Sequence, residues 1–228
     1  MHRLLIPVFL LLTLLCLATV RPLPSPPPAP VRQHPYHDID LSLVRRIACY
    51  SPEHREYYYG TVWAISKDTW VTAAHVVTRR GVCADADSLI PMVPVFVDGQ
   101  HDIAIVHSST GSATTFISYT CRGFVEGDRY ESIGWRGGMT LAETHLIARG
   151  IAPTSIVGDN LRYLEGLIYH GMSGGPVMDD HNIAVGLNTA TFELSTGQLT
   201  GQSYSRDLSE TVLCPKGPPL HQAASSLW

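Results

Sequence analysis

Apolar positions along this chain come in short runs with turn-forming residues between them. Leu43–Tyr50, Tyr57–Ile65, Trp70–Ala73, Leu89–Val97, Ile103–His107, Phe116–Cys121 and Tyr130–Ile133 open the series. Leu141–Ile151, Asn160–Ile168, Val177–Met178, Ile183–Ala190 and Gln202–Ser205 continue it. Runs rich in Val, Ile, Tyr, Trp and Thr and bounded by Gly, Pro, Asn and Asp read as strands. No segment sustains a long helical periodicity, and no internal repeat is visible. The pattern predicts an all-β protein of antiparallel barrels or sandwiches. Ser108-Ser109-Thr110-Gly111-Ser112-Ala113 is the natural crossing between two halves, one over about 41–110 and one over about 111–215.

Length and composition narrow this picture. With 228 residues, 19 of them Gly, the chain can build one compact unit of two small barrels around a shared cleft. The formal net charge of −4 gives no basic face for nucleic acid, so none is expected as a partner. Residues 1–20 stand apart: His2 and Arg3 precede an almost wholly apolar stretch from Leu4 to Val20. This is a targeting segment, either a cleaved signal peptide or an anchor just long enough to span a bilayer. Ala18, with Cys16 two residues before it, suits cleavage, whereas bulky Leu15 disfavours a lipid on Cys16. Membrane contact is expected only if residues 4–20 stay in place. Residues 21–40 form a proline-rich linker that favours polyproline II and reaches about 40 Å over Pro22–Pro35. The protein is expected outside the cytoplasm, with residues 216–228 as a tail.

Gly171-Met172-Ser173-Gly174-Gly175-Pro176 carries the strongest chemical signal. A string of this kind arises by chance on the order of once per million positions. Glycines permit backbone dihedrals that aim neighbouring N–H groups at one point, and here the Gly171 and Ser173 N–H groups would form an oxyanion hole. A serine hydroxyl needs an adjacent base. Trp70-Val71-Thr72-Ala73-Ala74-His75-Val76-Val77 offers His75, and His101-Asp102-Ile103-Ala104-Ile105-Val106 offers Asp102 to orient the imidazole. Asp98 is the competing acid, but its Val-Asp-Gly-Gln setting lacks a strand to hold it rigid. The order His, Asp, Ser differs from the Ser, acid, His order of α/β-hydrolases. Only about fifty residues follow Ser173, too few to complete such a sheet.

These strings resemble the trypsin-like serine peptidases, and among them the compact Do-like, high-temperature-requirement bacterial branch. Gly127-Asp128 with Ser132-Ile133-Gly134, and Gly186-Leu187-Asn188-Thr189-Ala190, also fit, and the likeness covers roughly Leu41 to Cys214. The resemblance implies two six-stranded antiparallel β-barrels of the chymotrypsin type, with the active site between them. It implies a serine endopeptidase acting on protein or peptide substrates with catalytic His75, Asp102 and Ser173. Met172 stands where digestive members carry Asp, so no N-terminal ammonium could pair there. The resemblance therefore implies maturation without N-terminal insertion, and the short tail leaves no room for the branch's PDZ module.

The primary pocket implied by the family lies between the residues before the serine, Leu167, Ile168 and His170, and the strand Asn188, Thr189, Ala190 and Thr191. No acid stands at its base, so a narrow apolar pocket for small or medium aliphatic side chains is expected. Cys49, Cys83, Cys121 and Cys214 remain after the leader, and two disulfides are expected in an exported chain. Of three pairings, Cys49–Cys83 with Cys121–Cys214 would staple one barrel each; free thiols are the alternative. The other histidines lack ligand spacing, so no metal and no cofactor are expected. Tyr57-Tyr58-Tyr59 with Trp63 reads as paired aromatic strands. The competing functions are an inactive protease-like binding module and an esterase using the same triad.

Overall fold

The computed structural model describes residues 39–78, 81–108, 113, 115–152 and 161–214. The expected leader, the tail, nearly all of the proline-rich linker and most of the expected crossing lie outside these residues. Six strands make the first half: β1 Val44–Ser51, β2 Glu56–Ala64, β3 Thr69–Thr72, β4 Val82–Asp85, β5 Met92–Asp98 and β6 Ile103–Ser108. They pair antiparallel in the order β4-β1-β2-β3-β6-β5. The two ends of this sheet meet at the Ala84–Pro91 bridge.

The second half is a closed antiparallel barrel. Its strands are β7 Arg129–Arg136, β8 Thr140–Ile151, β9 Arg162–Glu165, β10 Pro176–Met178, β11 Ala184–Glu193 and β12 Leu199–Asp207. This is the double barrel of the chymotrypsin type expected from the sequence.

Most strands follow the apolar runs, although β5 buries only Met92 and leaves Val93, Val95, Phe96 and Val97 exposed. Two expectations shift. β4 is absent from the apolar series because its pattern is inverted: Val82 is 69% exposed while Asp85 is buried. Asp85 is satisfied there by Arg45 at 3.0 Å and by the N–H groups of Asp87 and Ser88. Phe116–Cys121, expected as a strand, makes no ladder. Its Ile117 N–H donates to Ala64 in the first barrel and its Thr120 N–H to Ala184 in the second. A segment divided between two sheets cannot pair continuously with either.

The barrels share one core. Ile47, Val62, Trp63, Val71 and Ile103 cluster with Ile133, Met178, Leu187 and Leu208 of the second half. A separate cluster of Phe124, Leu146, Leu164, Met172, Val177 and Val185 fills the second barrel. Gly60 marks one close approach between the halves. A Cβ there would lie 2.7 Å from Val76 and 3.3 Å from the Ser173 carbonyl, so a glycine inside β2 admits the serine loop.

Both cysteine pairs are bonded as expected. Cys49–Cys83 joins β1 to β4 at directly opposed positions. Cys121–Cys214 ties the segment between the barrels to the chain after β12.

Candidate active site

His75 lies on the one-turn helix α1, Ala74–Val77, which follows β3 directly. Val76 and Val77 are buried, which leaves the His75 ring on the outer side, 46% exposed. The β3–β6 register sets Thr72 opposite Ala104. Continued two residues, it brings Asp102 beside α1. The Asp102 carboxylate meets His75 Nδ1 at 2.9 and 3.0 Å and also accepts the His75 backbone N–H at 2.9 Å. Ring and backbone of the histidine are thus held by one group. Asp102 adopts φ +52, an unusual conformation for a non-glycine residue and one that recurs at functional sites.

Asp98 is occupied elsewhere. It accepts the Gln100 and His101 N–H groups and binds His101 Nδ1 at 2.6 Å. Burial raises its pKa, but the His101 and Gln100 hydrogen bonds outweigh that and hold it below the usual carboxylate value. It closes the β5–β6 turn.

The Gly171–Pro176 loop is fixed from three sides. From the first barrel, Thr61 N–H donates to the Ser173 carbonyl at 2.8 Å and Thr61 Oγ1 donates to the Gly171 carbonyl at 2.8 Å. The same oxygen accepts the Trp135 N–H at 2.9 Å, and Thr72 Oγ1 donates to the Thr61 carbonyl at 2.7 Å. From the second barrel, Asn188 exchanges backbone bonds with Gly174 and Gly175, and its Nδ2 reaches Ser132 and the Met172 carbonyl. From below, Met172 is fully buried in the second core. An apolar side chain therefore anchors the loop by burial.

Gly171 has φ +88, and a Cβ there would collide with the Trp135 carbonyl and the Gly138 N–H, so glycine is required. The His170 carbonyl accepts the Gly137 N–H at 2.6 Å. A trans peptide then directs the Gly171 N–H to the opposite side. Among the described residues, neither the Gly171 nor the Ser173 N–H donates a hydrogen bond, and both remain available for an incoming oxygen.

Ser173, His75, Ile168, Tyr169, His170, Thr189, Ala190 and Thr191 line one cleft of about 220 Å³. The serine Oγ lies 3.5 Å from the Thr189 carbonyl. Two expected pocket residues are placed elsewhere. Asn188 is fully buried beneath the serine loop, and Leu167 is partly exposed and outside the cleft lining. Tyr169 and Glu193 were not expected. Glu193 meets His170 Nε2 at 2.6 Å at the cleft rim. Arg136 stacks over the Tyr169 ring at 4.0 Å. Thr61 and Thr72 were missed as well, although a glycine inside a strand just before Thr61 hinted at a close approach.

For metals, Asp179, Asp180 and His181 bring ligand atoms within 4.8 Å of one another. One Asp179 oxygen already accepts the His181 and Ile183 N–H groups, which reads as a turn cap outside the cleft.

No family model and no curated protein matches the chain. Solved structures do. The active form of the Rv3671c protease from M. tuberculosis is 20% identical, with a TM-score of 0.62 over 73% of this chain and 76% of that one. An inactive form of the same protein is 21% identical, with a TM-score of 0.62 over 83% and 93%. The serine endoprotease from Yersinia pestis is 20% identical, with a TM-score of 0.58 over 73% of this chain and 59% of that one. At this identity the likeness establishes a shared fold.

Proposed function

We propose that the chain is a serine endopeptidase in which Ser173 attacks the substrate carbonyl, His75 takes and returns the proton, and Asp102 orients His75. One observation carries the proposal: the Asp102 carboxylate holds His75 by both ring and backbone, in the same cleft as a serine whose loop presents two uncommitted N–H groups. Nucleophile, base, orienting acid and oxyanion donors are the parts that acyl transfer requires. The neighbours sharing the fold are described as proteases, in keeping with this reading.

The reaction follows from the parts. The Ser173 proton passes to His75 as its oxygen adds to the carbonyl. The oxyanion is received by the Gly171 and Ser173 N–H groups. His75 then protonates the leaving amine, and water hydrolyses the acyl-enzyme by the same route in reverse. Asp102 stays ionised and stabilises the imidazolium. No metal or cofactor is needed.

The cleft is smaller than a typical small-molecule pocket, which suits one substrate side chain. Ile168 and Ala190 favour an apolar residue at the cleavage position, with loose selection because one methylene discriminates by only ~1–3 kcal/mol. Burial of Met172 supports activity without a defined mature N-terminus. The two disulfides favour an exported protein, with residues 1–20 as signal or anchor, 21–40 as linker and 41–215 as the protease domain. No helix among the described residues is long and apolar enough to cross a membrane.

The test compares an unfolded protein substrate, an aliphatic peptide library and a chromogenic ester across wild type and Ser173→Ala. Peptide cleavage after Val, Ala, Ile or Leu, abolished by the substitution, supports the proposal. Ester cleavage alone makes the protein an esterase, and no turnover of any substrate makes it a binding module.

A further inference from the structure

We infer that Arg46, on β1 of the first barrel, is a positioning residue for the Gly171 oxyanion donor on the second. This role rests on the serine-peptidase reading above. It falls to a residue outside the cleft lining, acting through the turn between β7 and β8, residues 136–139. That turn grips the stretch before Ser173 at several points. Gly137 N–H donates to the His170 carbonyl at 2.6 Å, and Arg136 stacks over the Tyr169 ring at 4.0 Å. A Cβ on Gly171 would collide with the Trp135 carbonyl and the Gly138 N–H, so turn and loop are in direct contact. The His170 carbonyl and the Gly171 N–H belong to one planar peptide. The position of the turn therefore sets the direction of the donor.

Arg46 holds the turn from the first barrel. Its Nη1 donates to the Gly138 carbonyl at 2.5 Å, and its Nη2 meets the Asp87 carboxylate at 2.6 Å. The guanidinium also lies 5.8 Å from the Tyr59 ring centroid and 5.6 Å from that of Trp135, within cation–π reach of both. The β1–β4 ladder delivers the anion: Ile47 is opposite Asp85, and the Ala86 N–H donates to the Arg46 carbonyl at 2.9 Å. Asp87 follows directly. Gly138 is buried, and a Cβ there would lie 2.6 Å from the Tyr59 side chain. Bare backbone thus lets the turn settle onto β2. The Arg46 side chain is 22% exposed, so its charge-assisted bond to the carbonyl is largely shielded from water. A rigid planar fork with one arm on Asp87 gives the other arm a fixed direction.

The contacts run in sequence from Asp87 through Arg46, Gly138, Gly137 and His170 to Gly171. Thr61 holds the Gly171 carbonyl, whereas this relay holds the peptide that carries the N–H itself. Without Arg46 the Gly138 carbonyl loses its cation, and the two-glycine turn has little stiffness of its own. A donor that is less well aimed weakens binding of the developing oxyanion and leaves ground-state contacts alone.

The experiment measures kcat and KM for one good peptide, per active site counted by complete fluorophosphonate labelling. Beside them it measures the inhibition constant of a peptide aldehyde of the same sequence, whose adduct on Ser173 places an oxygen at the two N–H groups, and the melting temperature. The variants are Arg46→Met, which keeps the apolar stem and removes the fork, and Asp87→Asn. The expected result for Arg46→Met is a kcat per site lower by about tenfold or more, an unchanged KM and an aldehyde inhibition constant raised by a similar factor. Asp87→Asn should show a smaller loss with the same signature. A purely structural role would lower the melting temperature and the number of active sites, and leave kcat per site and aldehyde binding in place. That outcome in folded Arg46→Met overturns the inference. If Arg46→Met does not fold, wild-type kcat and aldehyde binding in Asp87→Asn overturn it. If the wild type neither labels nor cleaves any peptide, the serine-peptidase reading itself has failed, and the inference falls with it.

Discussion

Thr61→Val tests how the active-site loop is held. The two side chains are nearly equal in size, so the change opens no cavity, but it removes the hydroxyl by which the first barrel holds Gly171 and Trp135 of the second. Thr61 Oγ1 donates to the Gly171 carbonyl at 2.8 Å and accepts the Trp135 N–H at 2.9 Å. Thr61 itself is fully buried, so water cannot replace the lost partner. An unsatisfied buried polar group costs about 1–3 kcal/mol. Two such groups cost about 2–4 kcal/mol once some relaxation is allowed. For a protein of this size that lowers the melting temperature by roughly 5–15 °C.

The chemical cost adds to this. The Gly171 carbonyl belongs to the residue whose N–H is an oxyanion donor, and loss of one such donor costs roughly 10²–10³ in kcat. A loosened donor should lose part of that, about tenfold or more, mainly in kcat because ground-state contacts are unchanged. Thr61→Ser keeps the hydroxyl and should restore kcat. The assay is steady-state hydrolysis of one good peptide, with thermal unfolding on the same samples. Wild-type stability and wild-type kcat in Thr61→Val would refute the clamp.

Asp102→Asn should lower kcat/KM by roughly four orders of magnitude with the fold intact, whereas Asp98→Asn should change it little; steady-state assays of both variants, side by side, check this. Glu131 is 1% exposed, and burial, with Glu143 nearby, raises its pKa from 4.5 to about 7. A raised carboxyl pKa favours the native state while the group is protonated. Stability should therefore fall by up to about 3 kcal/mol as pH rises from 4.5 to about 7, and denaturant titrations should show Glu131→Gln flattening that slope. The disulfides close separations of 34 and 93 residues, worth roughly 4 and 5 kcal/mol by chain entropy. Reductant should lower the melting temperature clearly, and single Cys→Ala pairs should rank the Cys121–Cys214 bridge as the larger loss.

Local signals carried far in this chain. The serine loop, the histidine after a buried strand and the aspartate opening a β-branched run are contiguous strings, and each string encodes its own backbone. β4 was hidden because it buries a charged Asp85 and exposes apolar Val82. Phe116–Cys121 has strand composition, but its partners belong to two different sheets. Asn188 was expected at the pocket wall because its neighbours Thr189 and Ala190 line it. The β11–β12 register shifts between Asn188 and Ala190, and the Asn188 side chain lies under the loop instead. Thr61 acts across the barrel interface. Its partners Gly171 and Trp135 lie 110 and 74 residues away, a separation that no local pattern records. Glu193 was missed for the same reason, since only folding brings it to His170.

Active-site titration decides whether Ser173 is a nucleophile activated by His75 and Asp102. A fluorophosphonate is incubated with wild type, His75→Ala, Asp102→Asn and Ser173→Ala, and each product is digested and weighed. The expected outcome is one stoichiometric adduct on wild type, located on Ser173, strongly slowed in His75→Ala and Asp102→Asn and absent in Ser173→Ala. An unmodified wild type, an adduct on another serine, or equal labelling of His75→Ala would contradict it.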